Sequence, residues 1–430
     1  MSVTDRREDP LAGSVAVPSA ACPSIEATGV GRIRGIRRTA FGTALTVAVL
    51  HGLNDAYASF LNPLLPRFMT RFDLSISDAA VLTTVLSVAA ALAQPLFGHF
   101  SDLRGRRAMI AIGPAVSGVF LSLIGVAPGF GALVVFLVLG GLGSAAFHPA
   151  AAATAARVTA GRGSGLRHAV FSFGGAAGYA AGPMIAVLLV AWRGLDGMWI
   201  AMVPALVLAG ALWFMLPGDP PKERSPERAQ PTTHSVRRAR RLSMGPVLLV
   251  FGISALTAFV QRVFLTMEPI VMAAAGKSET AGAAALTLYL AAQAGGTLSG
   301  GWLADRMDRR NLLIGITLLA FPAYFLAFWL PPGSAVSLVF VAVAGALGMA
   351  VLPPIVVIAQ EASPGRAALN SGIVMGLAWA TGSLGVLGAG VLGDAIGARG
   401  AALVCTPAVL LGTALALHPA LGRYRRPMEF

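Results

Sequence analysis

Charge is scarce in this chain, and acid is the scarcest part of it. Only 12% of the 430 residues are charged, and 19 Asp and Glu stand against 32 Lys and Arg. A soluble domain carries about twice that share of charge, so a water-exposed globular surface is excluded. Cysteine is nearly missing: Cys22 and Cys405 are two, far apart, which excludes a disulfide framework or a cysteine metal site. Cys22 also lacks the apolar run that precedes a lipidated cysteine. No Gly-x-x-x-x-Gly-Lys-Ser/Thr occurs, which argues against ATP as the energy source. Residues 1–39 hold no signal-peptide core and are expected to form a disordered tail.

What fills the space is apolar. Apolar residues make up 56% of the sequence and mean hydropathy is +0.74. Runs of about 20 apolar residues, each long enough to cross hydrocarbon as a helix, recur along nearly the whole chain. In lipid they must be helices, since each backbone N–H and C=O has to be satisfied within its own segment. The expectation is an all-α membrane protein with twelve spans, at 40–62, 76–100, 108–127, 131–156, 167–191, 197–216, 244–268, 279–303, 311–330, 334–360, 367–393 and 399–417.

The net charge of +13 suggests nucleic acid only until its distribution is read. Arg32 to Arg38 precede span one, Arg104, Arg106 and Arg107 follow span two, and Arg157, Arg162 and Arg167 follow span four. Arg237 to Arg241 precede span seven, Arg306, Arg309 and Arg310 follow span eight, and Arg423, Arg425 and Arg426 close the chain. The opposite loops hold Arg67, Arg71, Arg193, Lys277 and Arg399, mostly beside an acid. By the positive-inside rule both termini are cytoplasmic. Basic charge is thus a topology signal, and no nucleic-acid partner is expected.

The chain also repeats itself. Gly98-His-Phe-Ser-Asp102-Leu-Arg-Gly-Arg106-Arg107 reappears 203 residues later as Gly301-Trp-Leu-Ala-Asp305-Arg-Met-Asp-Arg309-Arg310. Gly143 and Pro149 in span four match Gly348 and Pro354 in span ten. Between the copies, residues 217–243 are rich in Pro, Ser, Thr and Arg and read as a cytoplasmic linker. The expected units are a tail (1–39), a six-helix bundle (40–216), the linker, a second six-helix bundle (244–418) and a C-terminal tail (419–430). Parallel six-helix repeats around an interfacial cavity are a transporter layout.

These hairpins resemble the one between spans two and three of major facilitator superfamily transporters, over residues 40 to 418. His51-Gly-Leu-Asn54-Asp55 with Pro63, Phe147-His148-Pro149, and the run from Met375 to Gly385 are similar to its fosmidomycin-resistance-like branch. Two positions depart from pattern. Ala150 stands where the branch often has an acid, and Val135 to Leu139 lack the arginine of many drug–proton antiporters.

A charge at mid-membrane costs roughly 2.5–3.5 kcal/mol even on a lenient scale. His51, Asp55, Ser59 and Asn62 share one face of span one, flanked by Asn54, and such a stripe faces a partner or a water-filled cavity. It reads either as a proton site, with His51 tuning Asp55, or as a structural polar lock. Span seven carries Gln261, Arg262 and Glu268; six residues place the last two roughly 240° apart, so they should not pair. The resemblance implies that spans one and seven line a central cavity, making Asp55 and Arg262 a candidate cross-cavity ion pair. Independent partners for each are the alternative. Glu268, just before Pro269, is either a proton or substrate group or a solvated helix end.

For Gly98, Asp102, Arg106, Arg107, Gly301, Asp305, Arg309 and Arg310 the resemblance implies a cytoplasmic latch between the halves that holds the outward-open state. Topology determinants alone are the plainer reading. His148 and Pro149 are expected to end a helix, as a lock or a gate, with His148 on a carbonyl freed by the proline. His99, His168, His234 and His418 read as interface, loop or helix-end residues, and no metal site is expected. Gly178-x-x-x-Gly182-Pro183 resembles the antiporter motif without its closing glycines, and is otherwise a small-residue helix contact. Phe60, Tyr289 and Trp379 are candidates for stacking on substrate.

The expectation is an inner-membrane, monomeric, multi-pass transporter that is not an enzyme. It exports a drug- or antibiotic-like small molecule in exchange for protons, with no cofactor beyond the proton gradient and only lipid, substrate and protons as partners. A proton-coupled importer of an organic anion held by Arg262 is the alternative, and a non-transporting membrane sensor a further one. A membrane enzyme lacks a nucleophile–base–orienter set.

Overall fold

The computed structural model describes residues 45–103, 105–158, 164–215, 245–362 and 366–424, with backbone alone at 102, 103, 156–158, 164–169, 215 and 368. The tail 1–39, the linker 217–243, Cys22 and His234 lie outside the described residues. So do the arginines of 32–38, 237–241, 425 and 426, Arg104 and Arg162, and the side chains of Asp102, Arg157, Arg167 and His168.

Every regular element among the described residues is helical. The helices are α1 (45–58 and Leu61–Phe72), α2 (Ile76–Leu92 and Gln94–Leu103), α3 (Arg106–Leu123), α4 (Phe130–Val158), α5 (Ser164–Arg193) and α6 (Met202–Met215). The second set is α7 (Gly245–Ala274), α8 (Glu279–Ala304), α9 (Arg309–Trp329), α10 (Ala335–Ala350 and Leu352–Ala362), α11 (Ala367–Gly372, a π-type turn Ile373–Leu377, and 378–396) and α12 (398–405 and Ala408–Ala416). Nine stretches among the described residues are long and apolar enough to cross a membrane, one of them running from Leu369 to Ala416. That one is two crossings, because Gly397 interrupts it at φ 78°. Adding α1 and the small-residue-rich α8 makes twelve.

Local chemistry explains the ends and breaks. Ser75 and Asp78 form a capping box at the start of α2, and Ser278, Asp308 and Ser334 cap α8, α9 and α10. Each supplies an acceptor to an orphan N–H of the first turn. The capping acid of the second hairpin is therefore Asp308; Asp305 is exposed at the end of α8. Helix α1 breaks at Ser59–Phe60, where Pro63 deprives the Ser59 carbonyl of its donor. Ser59 turns its hydroxyl back onto the Ala56 carbonyl at 2.9 Å.

Three expected ends move outward. Helix α1 runs to Phe72, past Pro63 and Pro66, and α7 runs through Pro269 to Ala274. Glu268 is accordingly no solvated helix end but is 3% exposed inside the bundle. Helix α4 does not stop at His148-Pro149 and continues to Val158. In a helix whose sides are packed, one missing N–H is tolerated.

Small residues set the packing within each half. A Cβ on Gly178 would fall 1.8 Å from the Gly52 carbonyl oxygen, and one on Gly174 would fall 2.3 Å from that of Ala48. The glycine ridge of α5 thus lets α1 approach to backbone contact. Gly296 and Gly300 do the same for α8 on α10.

The halves meet through α2 against α11 and α5 against α8, two pairings related by the sequence repeat. The apolar core reports how they sit. Toward the end opposite the hairpins, residues of both halves merge in one buried cluster, from Leu64 and Leu82 to Phe264 and Val386. Toward the hairpin end there are two separate clusters. One lies in the first half around Leu50 and Phe147, the other in the second half around Ile253 and Ile355. The molecule is closed at one end and open at the hairpin end.

Candidate functional site

Between the halves lies a cavity of about 560 Å³ lined by residues of α1, α2, α4, α5, α7, α8, α10 and α11. Its charged lining is sparse: Asp55 on α1, Arg262 on α7, and the imidazoles of His51 and His148.

Asp55 is the centre of a three-residue cluster. Its Oδ2 lies 3.2 Å from Nε2 of His51, one turn earlier on α1. Its Oδ1 lies 3.1 Å from Nε2 of His148 on α4. The outer nitrogens are committed: Nδ1 of His51 contacts the Phe171 carbonyl at 3.0 Å, and Nδ1 of His148 the Ser144 carbonyl at 2.8 Å. A carbonyl oxygen only accepts, so both Nδ1 atoms carry the proton. Each Nε2 is therefore the nitrogen turned toward the carboxylate. Asn54 Nδ2 donates to Asp55 Oδ1 and to Ser144 Oγ, both at 3.1 Å.

Neighbouring surfaces hold the cluster in shape. The Phe171 ring stacks on His51 at 4.3 Å, and His148 lies edge-on to His51 at 5.3 Å. Gly175 on α5 makes room for it. A Cβ there would sit 2.4 Å from His51 Cε1 and 2.8 Å from Asp55 Oδ2.

Arg262 does not reach Asp55. Its guanidinium donates to the Tyr179 hydroxyl on α5 at 3.3 Å and lies 5.5 Å over the Trp379 ring. The expected Asp55–Arg262 pair gives way to independent partners, because His148 takes the free carboxylate oxygen. Arg262 still bridges the halves, through a tyrosine.

Of the other expected cavity residues, Asn62 and Trp379 line the space. Five do not. Asn54 is fully buried behind Asp55, Ser59 is closed onto its own helix, and Phe60 packs on Tyr57 at 5.3 Å. Tyr289 is buried against Phe264 with its hydroxyl 2.7 Å from that of Tyr324. Gln261 donates to the Gly348 carbonyl at 3.0 Å and accepts from Gln293 at 2.7 Å, tying α7, α8 and α10 together. Ser59 was expected there from helical phase, Asn54 as its flank, Gln261 as a polar residue of span seven, and Phe60 and Tyr289 as aromatics; none of these signals distinguishes the cavity from a neighbouring helix. Glu268 also lies away from the cavity lining.

His148 does not bond the carbonyl that Pro149 frees, which is that of Ala145, but the one before it. One atom each from His51, Asp55 and His148 lie within 4.8 Å of one another, a spacing at which the three could hold a metal ion. The two histidines are 97 residues apart, and only the packing of α1 on α4 brings them together. Tyr179 was likewise missed.

Both basic hairpins are tied down within their own halves in this conformation. Arg107 donates to the Trp213 carbonyl on α6 and stacks on its ring at 4.7 Å. Arg309 pairs with Glu361 on α10 at 2.7 Å, and Arg310 donates to the Ala416 carbonyl on α12 at 3.1 Å. Gly98 and Gly301 lie beside the α4 and α10 prolines, with Pro149 Cβ 3.5 Å and Pro353 Cβ 3.9 Å from the built Cβ positions. Arg106 is likewise partnered. At the opposite end the halves are bolted to each other. Asp394 on α11 accepts from the Ile76 N–H at 2.7 Å and the Ser77 N–H at 3.2 Å, and Arg67 pairs with Glu279.

The chain is similar to the Fosmidomycin resistance protein of Escherichia coli (strain K12), 26% identical over 87% of this chain and 92% of that one. It is also similar to the Tetracenomycin C resistance and export protein of Streptomyces glaucescens, 30% identical over 45% of this chain and 36% of that one. Among solved structures, a bacterial homologue of the human lysosomal transporter Spinster, inward-facing and occupied, superposes with a TM-score of 0.77. It is 17% identical over 90% of this chain and 98% of that one, a likeness of fold. The sequence model of the Major Facilitator Superfamily matches residues 47–267 and 250–427, and the chain belongs to that family.

Proposed function

We propose that this major facilitator transporter exports a small drug- or antibiotic-like molecule from a bacterial cytoplasm in exchange for protons taken up at the His51–Asp55–His148 cluster. One observation carries the reading. Both Nδ1 protons are spent on carbonyls, so neutral rings would aim two Nε2 lone pairs at a carboxylate, about 3 Å away on each side. That is repulsive unless positive charge sits between, and protons in the two contacts supply it.

The positive-inside rule puts the arginine-rich end in the cytoplasm of an inner membrane, so the open cavity is an inward-facing one. Losing the protons there removes the bond between Asp55 on α1 and His148 on α4 and frees Asp55 toward the cavity. Substrate is then taken from the cytoplasm, the halves rock about the midplane, and reprotonation from outside resets the cluster. Export as the direction is supported by the relatives named for resistance and export.

Uptake of an organic anion is the second reading. It is favoured by Arg262, which lines the cavity and has no carboxylate partner among the described residues. The test is drug susceptibility of an efflux-deficient bacterium expressing the protein or its Asp55→Asn variant at equal level, across a panel that includes fosmidomycin. Resistance lost with Asp55→Asn supports proton-coupled export. Resistance unchanged by Asp55→Asn removes Asp55 from the mechanism, and no resistance to anything favours uptake.

A further inference from the structure

We infer that His51, Asp55 and His148 form a binding site for one divalent transition-metal ion of borderline softness, with Zn²⁺ as the reference ion. This goes beyond proton-coupled export and stands on geometry that is independent of substrate or direction.

Spacing is the first argument. Zinc bound at about 2.0–2.2 Å by nitrogen and oxygen in a tetrahedron holds its ligands about 3.3–3.5 Å apart. His51 Nε2 lies 3.2 Å from Asp55 Oδ2 and His148 Nε2 lies 3.1 Å from Asp55 Oδ1, and one donor atom from each residue falls within 4.8 Å of the other two. The two nitrogen–oxygen contacts are already near that spacing, and the widest separation, at most 4.8 Å, would have to shorten by up to about 1.5 Å, which is within the reach of side-chain rotation.

Orientation is the second. Metal-ligating histidines almost always donate their other ring N–H to a carbonyl or carboxylate, which fixes the tautomer and aims the ring. Both histidines do so here, through the Phe171 and Ser144 carbonyls. The carboxylate has its own support from Asn54. When the Nε2 protons leave, these outer contacts keep both rings turned so that their Nε2 lone pairs face the two oxygens of one carboxylate, and a metal ion can replace the protons as the positive charge there.

The donor set selects the metal. Two imidazole nitrogens and one carboxylate suit Zn²⁺, Co²⁺ or Ni²⁺ and are poor for Mg²⁺ or Ca²⁺, which want oxygen. All three residues line the cavity, so the fourth position of a tetrahedral ion opens toward it, where water or a chelating group of a cargo molecule can bind. Three protein ligands and one open position are the pattern of zinc sites that keep room for water or a bound molecule, as against closed structural sites with four protein ligands.

The test uses the full-length protein in detergent micelles, titrated with ZnCl₂ by calorimetry and with CoCl₂ by visible absorption. The expected result is one ion per chain and the intense d–d bands of four-coordinate Co²⁺. His51→Gln and His148→Gln should each weaken binding about tenfold or more, in protein that remains monodisperse on size exclusion. Binding should also weaken in acid, because ligand histidines must be neutral. If one variant fails to fold, the other and the wild-type Co²⁺ spectrum still decide. Absence of binding by monodisperse wild type, an octahedral Co²⁺ spectrum, or binding unchanged in a folded histidine variant overturns the inference. None of these readouts depends on drug resistance, so export and metal binding fail separately.

Discussion

His148 on α4 meets Asp55 on α1 at 3.1 Å, closing a contact between residues 93 positions apart in the chain. With His51 on the other oxygen, the acid on α1 is held from two helices of one half, and this decides what each substitution should do.

His148→Gln removes the one ionisable cross-helix partner of Asp55 among the described residues. A hydrogen bond to a charged group is worth about 1.5–3 kcal/mol, so transport should fall by tenfold or more while the protein stays folded. Combining it with Asp55→Asn should add little further loss, since both act on one contact. Initial rates of drug-dependent proton movement in reconstituted vesicles give the comparison; additive losses would dissociate the pair.

Gly175→Ala should damage the cluster as much as losing a histidine does. The added methyl would lie 2.4 Å from His51 Cε1 and 2.6 Å from its Nε2, and overpacking of this kind costs about 1–3 kcal/mol. Gly388→Ala, whose Cβ meets nothing within 4 Å, is the matched control and should transport normally. Equal behaviour of the two would show that the space at Gly175 is not needed.

Asp394→Ala should loosen the closed end. It strips a carboxylate from the first N–H groups of α2, a helix-terminus interaction worth about 0.3–2 kcal/mol. The population should shift toward the conformation open at that end, read as a longer spin-label distance between Thr70 and Lys277 positions. Arg67→Ala should shift it less, because its pair with Glu279 is 46% exposed at the arginine and exposed pairs are worth about 0–1 kcal/mol.

Arg309→Ala should lower stability without touching the cavity. Arg309 is 6% exposed and its partner Glu361 33%. The cost should be on the order of 2 kcal/mol, below the roughly 3–5 kcal/mol of a fully buried broken pair. Thermal unfolding in detergent measures it. A wild-type midpoint would leave Arg309 with only a topological role.

Arg262→Gln separates the two directions of transport. It removes the Tyr179 hydrogen bond and the stack on Trp379. Loss of proton-driven anion uptake with intact export would assign Arg262 to an imported anion; loss of drug export alone would assign it to the exported cargo.

Much of this was legible in the chain itself. Apolar runs separated by capping residues determine the helices, because a helix in lipid must satisfy its own backbone. The repeated hairpins determine the two-fold plan, and arginine spacing determines which ends belong together. The glycines of α5 declared a close helix contact before its partner, α1, was known.

Tertiary structure alone decided what the polar residues do. Helical phase put His51, Asp55, Ser59 and Asn62 on one face, yet Ser59 turned inward at a proline-induced break and Asn62 went to the cavity. Residue type, which named Tyr289, Gln261 and Trp379, was no better a guide: the first two went to interhelical bonds and Trp379 to the cavity. A polar side chain on an apolar helix needs a partner, and period and composition state that need without naming who meets it. Only the packing of α1 on α4 and α5 brought two histidines to one acid, made a glycine the wall beside them, and turned Arg262 to a tyrosine instead of to Asp55.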